Sequence, residues 1–291
     1  MKSSLLSILL LLSICTFGQD DLMKELEGTQ KPETAYVSAT FKGSRLVNGQ
    51  TVETRGKGEL EFIFSHRFGA ISSGSYNLFG LDQAFVRLGL EYGLTDNIGI
   101  GMGRNSYDKT IDGYVRYKLL RQSSGAGNMP ITVTAFVNGA IKTSPEQLDP
   151  GLVSTDRLSY TGQLLIARKF SSKLSLQLMP TLVHRNAIDK RIDDNDLIAI
   201  GAGGRYKITR SIALTSEYYY RVGVKNDNLN KNSMGLGVDI ETGGHVFQLV
   251  MTNSQGITER AFIGETVGDF FAGDIHLGFN VTRTFQLKKR K

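Results

Sequence analysis

From residue 58 to residue 285 the chain changes between apolar and polar at almost every other position. This is the period of a strand whose successive side chains point to opposite faces. Ala84, Val86, Leu88, Leu90, Tyr92 and Leu94 share one face, and Gln83, Arg87, Gly89, Glu91 and Gly93 share the other. After Thr95-Asp96-Asn97 the pattern resumes with Ile98, Ile100 and Met102 set against Gly99, Gly101 and Gly103. The two runs predict a hairpin closed by a tight polar turn. In the next run Ile111, Val115, Tyr117 and Leu119 oppose Asp112, Tyr114, Arg116 and Lys118.

Continuing this reading predicts strands at 58–68, 81–95, 97–105, 110–119, 131–142, 158–170, 173–184, 196–208, 211–222, 232–242, 245–253 and 272–285. Most are about nine to thirteen residues long, close to what a tilted strand needs to cross hydrocarbon. Their connections alternate between very short turns, such as Ser171-Ser172, Thr209-Arg210 and Gly243-Gly244, and longer loops at 69–80, 143–157, 185–195, 223–231 and 254–271. Transmembrane barrels alternate short periplasmic turns with longer extracellular loops in the same way. Two connections break the rule, with 106–109 short for an outer loop and 121–130 long for an inner turn. An even strand number returns the chain to the side of entry, so both termini are expected in the periplasm.

Alternation alone does not distinguish a membrane barrel from a soluble one whose apolar face points inward. The polar face decides, because many of its positions are Gly, Ser, Thr, Asn or Gln, including Gly89, Gly99, Gly201, Gly203, Thr132, Thr134, Ser175 and Gln177, where a water-facing surface would carry Lys and Glu. That predicts a crowded, wet lumen. Tyr92, Tyr206, Tyr218 and Tyr220 supply a weak aromatic girdle, although the chain has no Trp. With 40% hydrophobic and 21% charged residues the chain is not a polytopic helical membrane protein. Its 33 Gly and 5 Pro do not describe a disordered or collagen-like one. The fold class expected is all-β, a transmembrane antiparallel up-and-down β-barrel of about twelve strands.

The ends frame this barrel. Lys2, the apolar run from Leu5 to Ile14 and the segment ending at Gly18 have the regions of a cleaved signal peptide, predicting residues 1–18 as that peptide. Ile14 before Cys15 does not suit lipid attachment, and cleavage leaves the mature chain without cysteine. Disulfides and thiolate chemistry are then excluded. Residues 19–57 form an N-terminal extension in which 36–41 and 45–52 are expected to pair. This element is read as a lumen plug or inner-rim piece, with a periplasmic extension or a thirteenth strand as alternatives. Residues 58–285 are the barrel and 286–291 a basic periplasmic tail. Of the formal charge of +6, that tail's Lys288-Lys289-Arg290-Lys291 supplies most, so the excess does not point to nucleic acid.

By phase the lumen holds Arg67, Arg87, Arg116, Arg205 and Arg221 beside Glu61, Glu91, Asp112, Glu217, Asp239, Glu241 and Asp274. One reading makes them a charged constriction that selects small solutes. The other makes them ion pairs that stiffen the barrel. His66, His184, His245 and His276 show no metal-ligand spacing, so neither a metal nor another cofactor is expected. By phase His276 points inward and the other three outward. No Ser–His spacing resembles a hydrolase motif, which predicts no catalytic residues. Gly201-Ala202-Gly203-Gly204 sits inside a strand and is not a phosphate loop.

Several segments resemble an uncharacterised outer-membrane β-barrel family of the Bacteroidota, a domain of unknown function. They are Gly58-Glu59-Leu60-Glu61-Phe62-Ile63-Phe64-Ser65-His66-Arg67-Phe68-Gly69, Val183-His184-Arg185-Asn186, Gly237-Val238-Asp239-Ile240-Glu241-Thr242-Gly243-Gly244-His245-Val246-Phe247-Gln248-Leu249, Gly273-Asp274-Ile275-His276-Leu277-Gly278-Phe279-Asn280 and Arg283-Thr284-Phe285. The resemblance implies a barrel in the outer membrane of a Gram-negative bacterium and supplies no catalytic residues. Phe285, closing the last run, resembles the terminal aromatic by which the barrel-assembly machinery recognises its clients. The expected partners are therefore outer-membrane lipid, that machinery and a small solute, with no nucleic acid. The function expected is a narrow porin-like channel. The alternatives are a closed barrel serving as a structural or docking component of an envelope complex and, further back, an outer-membrane hydrolase.

Overall fold

The structure is a computed structural model that describes residues 33–287 apart from 145–150, 152 and 226. The expected signal peptide, the first part of the N-terminal extension and the Lys288-Lys289-Arg290-Lys291 tail lie outside the described residues.

The alternating runs become twelve strands that close on themselves. They are β1 (Glu59–Ala70), β2 (Ala84–Gly93), β3 (Ile98–Asn105), β4 (Ile111–Leu120), β5 (Thr132–Ile141), β6 (Leu158–Lys169), β7 (Leu174–Arg185), β8 (Asp196–Lys207), β9 (Ile212–Val222), β10 (Ser233–Thr242), β11 (His245–Thr252) and β12 (His276–Gln286). Each pairs antiparallel with the next, and β12 returns to β1 with Val281 opposite Phe64 and Phe285 opposite Leu60. Closure satisfies both edges of every strand, which removes the unpaired backbone groups an open sheet would present to lipid.

Strand boundaries fall close to the alternation, and the larger departures have local causes. β2 starts at Ala84, not at 81, because residues 71–83 hold short 3-10 turns in which Leu78 and Phe79 adopt positive φ. β12 starts at His276, not at 272, because Asp274 N–H bonds back to the Asp269 carbonyl at 3.1 Å and Gly273 has a φ of 91°. One rim carries the short turns at 94–97, 170–173, 208–211 and 243–244, together with the chain's entry to β1 and exit from β12. The opposite rim carries the long loops, the largest being 253–275. The two exceptions noted in the sequence, 106–110 and 121–131, take their places on the long-loop and short-turn rims respectively.

Leu88, Leu90, Val115, Leu176, Leu178, Leu214 and Leu249 stand exposed on the outer face, with Tyr206, Tyr218 and Tyr220 among them. The inner face holds Glu61, Arg67, Arg87, Glu91, Asp112 and Arg116 fully buried. This is the inverse of a soluble barrel. Among the described residues no helix is long and apolar enough to cross a membrane.

The lumen is not uniformly polar, which corrects the sequence expectation. Phe136 on β5, Leu165 on β6, Met179 and Val183 on β7, Leu197 and Ala199 on β8 and Tyr219 on β9 point inward and form one apolar cluster. A ring of twelve strands is too wide for one layer of side chains to fill. Here two non-strand segments supply the missing layer, contributing Phe41, Leu46 and Val52 from one rim and Phe262 and Ile263 from the other.

Candidate functional site

The first stopper is a hairpin inside the barrel. Asn48-Gly49 is a strong tight-turn dipeptide, and the chain folds back around it with Leu46 N–H on the Gly49 carbonyl at 2.8 Å and Thr51 N–H on the Ser44 carbonyl at 2.9 Å. Arg45 bridges to Gln50. The pairing expected between 36–41 and 45–52 therefore does not form. Ala35–Tyr36 instead pairs with Ser123–Ser124 at the short-turn rim, leaving 44–51 free to enter the lumen. Burial of Phe41, Leu46, Val47 and Val52 stabilises the inserted state by roughly 1.5–3 kcal/mol for each side chain.

Polar wall residues hold this hairpin by its backbone. The Glu217 carboxylate on β9 accepts three N–H groups from the tip, from Val47 at 3.0 Å, Asn48 at 2.8 Å and Gly49 at 3.0 Å. Arg67 on β1 donates to Asn48 Oδ1 at 2.8 Å, and Asn280 on β12 donates to the Val47 carbonyl at 2.9 Å. Gln248 reaches the Leu46 carbonyl at 2.5 Å. Gln177 on β7 makes a two-way amide contact, donating to the Gln50 carbonyl at 2.7 Å and accepting from Val52 N–H at 2.9 Å. Arg116 on β4 donates to the carbonyls of Thr51 at 3.1 Å, Glu53 at 3.0 Å and Ser44 at 3.3 Å.

The second stopper descends from the long-loop rim. Residues 253–275 fold inward and carry a one-and-a-half-turn helix, α1 (Glu259–Gly264), every residue of which is buried. Ile257, Phe262 and Ile263 pack into the lumen, with Phe262 edge-on to Tyr219 at 5.2 Å. The two stoppers meet at Glu259, whose Oε1 lies 2.5 Å from Gln50 Nε2 and 3.4 Å from Arg45 Nη1. Above this contact Arg260 pairs with Asp108 at 2.7 Å and with Glu265, while Lys142 reaches Asp108 at 3.1 Å. Burial, the largest influence, pushes the Asp108 carboxyl up. Lys142 and Arg260 outweigh it and hold the group below its ordinary value.

The predicted lumen charges divide into three groups. Arg87 and Asp112 form a bidentate pair at 3.0 and 2.5 Å, Arg116 lies 3.2 Å from Glu91, and Arg205 pairs with Asp239 at 3.4 Å and with Glu241. Arg67, Arg116 and Glu217 grip the hairpin, as described above, Glu61 accepts from the hairpin's Ser44 hydroxyl at 2.5 Å, and Arg221 donates to the Gly264 carbonyl at 3.4 Å, at the end of α1. Asp274 stands apart. It lies in the loop before β12, accepting from Ser72 at 3.3 Å and Asp269 N–H at 3.1 Å, so it belongs to the long-loop rim and not to the wall. His276 points inward with Nδ1 3.1 Å from the Phe68 carbonyl, whereas outward His66 stacks on Phe279 at 5.1 Å. Outward His184 contacts Asp196 at 2.7 Å. Among the described residues no group of three or more His, Cys, Asp or Glu could hold a metal ion.

Sequence reasoning placed Gln177 in the lumen without its role and missed Arg45, Gln50, Gln248, Glu259, Arg260 and Asn280. The signal for the hairpin was present in Asn48-Gly49. The signal for the apolar half of the lumen was present in Leu164-Leu165-Ile166-Ala167 and Leu197-Ile198-Ala199-Ile200, where both faces are apolar and each strand must therefore be covered on both sides. Nothing in 253–268 marks that loop as inward-folding.

A barrel with an apolar exterior and a charged, stoppered interior defines a membrane β-barrel. Residues 41–285 match the family described as membrane bound beta barrel domain (DUF5777), and the chain belongs to that family. No curated protein matches the sequence. Among solved structures the fold is similar to the KdgM porin, with 8% identity, 78% of this chain and 99% of that chain covered, and a TM-score of 0.46. It is also similar to outer membrane phospholipase A from Escherichia coli, with 11% identity, 77% and 92% of the two chains covered, and a TM-score of 0.41. A third likeness is to Omp33 from Acinetobacter baumannii, with 9% identity, 78% and 98% covered, and a TM-score of 0.41. At these identities the likeness is one of fold alone.

Proposed function

We propose that the protein is a non-enzymatic, porin-like barrel of the outer membrane that passes small solutes and rests in a stoppered state. The observation that carries this reading is the construction of the blockage. The wall is a complete barrel, and the lumen is filled by the hairpin and the inward loop, neither of which contributes a wall strand. Withdrawal of the hairpin leaves the wall intact and uncovers Arg67, Arg116 and Glu217 beside the Arg87–Asp112 pair. That charged surface discriminates solutes by field and hydrogen bonding. In this reading both termini face the periplasm, with the signal peptide removed on export.

Single-channel recording in planar bilayers tests the reading, using the mature chain and a variant lacking residues 41–53. The expected result is little or no steady current from the mature chain and steady, ion-selective current from the variant. Silence from a correctly folded variant overturns it. The same closed lumen favours a second reading, in which the barrel is a structural or docking component of an envelope complex. That reading is preferred if both forms stay silent and the barrel copurifies with a defined envelope partner.

A further inference from the structure

The outer wall carries a trough that the lumen does not use. Register aligns Arg168 on β6 with Leu176 on β7, Leu176 with Gly204 on β8, and Gly204 with Ser216 on β9. All four lie on the exterior face. The flanking rows carry Tyr206 and Leu214 on one side and Leu178 and Tyr218 on the other. Between them the floor is lowered by Gly204, which lacks a side chain and lies beneath Leu176, and by the small Ser216. The result is two adjoining depressions of about 810 Å³ and about 580 Å³ that share Leu176, Gly204 and Ser216, with Arg168 and Phe170 at one end.

That end is unusually basic. Between residues 158 and 222 the short-turn rim bears Arg168, Lys169, Lys173, Lys207 and Arg210, and every carboxylate of this stretch lies at the long-loop rim or, as Glu217, in the lumen. Arg168 is held over the Phe170 ring at 5.1 Å, and the same rim repeats the arrangement with Arg283 over Phe285 at 4.8 Å.

We propose that this trough is a binding site for one anionic phospholipid, with an acyl chain over Gly204 and Ser216 and the phosphate on Arg168. Hydrocarbon fits the trough because its walls are Leu and Tyr. A phosphate fits the rim because a guanidinium offers paired donors in the geometry that phosphate oxygens accept. Stacking on Phe170 fixes Arg168 at the level where the membrane meets water. Charge disfavours a second copy of the chain as the occupant, since two-fold pairing would bring Arg168, Lys173 and Arg210 against their own counterparts.

Native mass spectrometry of the full protein, released from mixed phosphatidylglycerol and phosphatidylcholine micelles, tests this. Wild type is expected to retain one phosphatidylglycerol in preference to phosphatidylcholine. Ser216→Phe fills the trough from outside and is expected to abolish retention of either lipid. Arg168→Gln is expected to keep the acyl site and lose about fivefold of the preference for the anionic lipid, the share of one cation near the surface. Heat-modifiable gel migration confirms that each barrel is folded, and Ser216→Leu serves if the larger ring prevents folding. Equal retention by wild type and the Ser216 variant, or equal preference with Arg168→Gln, overturns the proposal. A change of oligomeric mass in the Ser216 variant also overturns it, in favour of a second copy.

Discussion

The Glu217 carboxylate shows how one side chain sets the state of the lumen. Its Oε2 accepts from Val47 and Gly49 and its Oε1 from Asn48, so a single anion organises the whole hairpin tip. Replacement by Gln leaves one oxygen and turns an NH2 group towards an N–H that still needs an acceptor. Hydrogen bonds to charged groups contribute about 1.5–3 kcal/mol each, and an unmet buried donor costs a similar amount. Glu217→Gln is therefore expected to loosen the tip by about 2 kcal/mol, read as a roughly thirtyfold faster amide exchange at Val47, Asn48 and Gly49. Unchanged exchange at those amides refutes the assignment. Arg116 presents the opposite case, for it serves both a stopper and the wall. Arg116→Met removes its bonds to the Thr51 and Glu53 carbonyls and leaves the buried Glu91 carboxylate without that counter-charge, with the Tyr114 hydroxyl still donating to it at 3.0 Å. The expected loss is about 3–5 kcal/mol of barrel stability, visible as a lower melting temperature on unheated gels. A variant that melts with wild type shows that the Arg116 charge does not stabilise Glu91.

At the scale of elements, the strands were legible and the stoppers only in part. Alternation along Leu88 to Tyr92 fixes both the strand and the face of each residue, because a one-residue slip would turn every Leu into the lumen. The hairpin was only half legible. Asn48-Gly49 announces a turn, but its position depends on contacts with strands as far away in sequence as β9 and β12, which no local pattern encodes. Gly235 shows this non-local dependence. Its missing Cβ leaves room for Val47, whose Cγ1 would lie 2.8 Å from an added methyl, yet in sequence it is one strand glycine among several. The inward loop left no period at all, because α1 is buried on every side. Its anchor at the rim does make a pH prediction. Asp108 is held below its ordinary carboxylate value, so its contribution is present above the unfolded value of about 4 and is lost as pH falls through the lower, folded one. Below about pH 4 the Arg260 and Lys142 contacts should weaken, and amide exchange across 257–266 should rise. Asp108→Asn should show that raised exchange already at neutral pH and no further acid step there. An acid step that survives in Asp108→Asn would place the sensitive group elsewhere.

For the whole molecule, the two stoppers enter from opposite rims and touch at Glu259, against Gln50 and Arg45. Each covers the apolar surface of the other, since Leu46, Val52, Phe262 and Ile263 belong to one cluster with the inner face of β5 to β9. Removing one therefore exposes a patch that the other must then shield alone, and their withdrawals are coupled and not independent. Glu259→Gln keeps the shape of that contact and removes its charge, leaving Arg45 buried without its carboxylate partner. Recordings from Glu259→Gln, from the 41–53 deletion and from the two combined should therefore not add. The deletion is expected to open the barrel, the substitution alone to give brief openings, and the combination to conduct no more than the deletion, because the contact has already gone. Conductance that is the sum of the two single effects would mean that the stoppers act separately, and either one could then be released without the other.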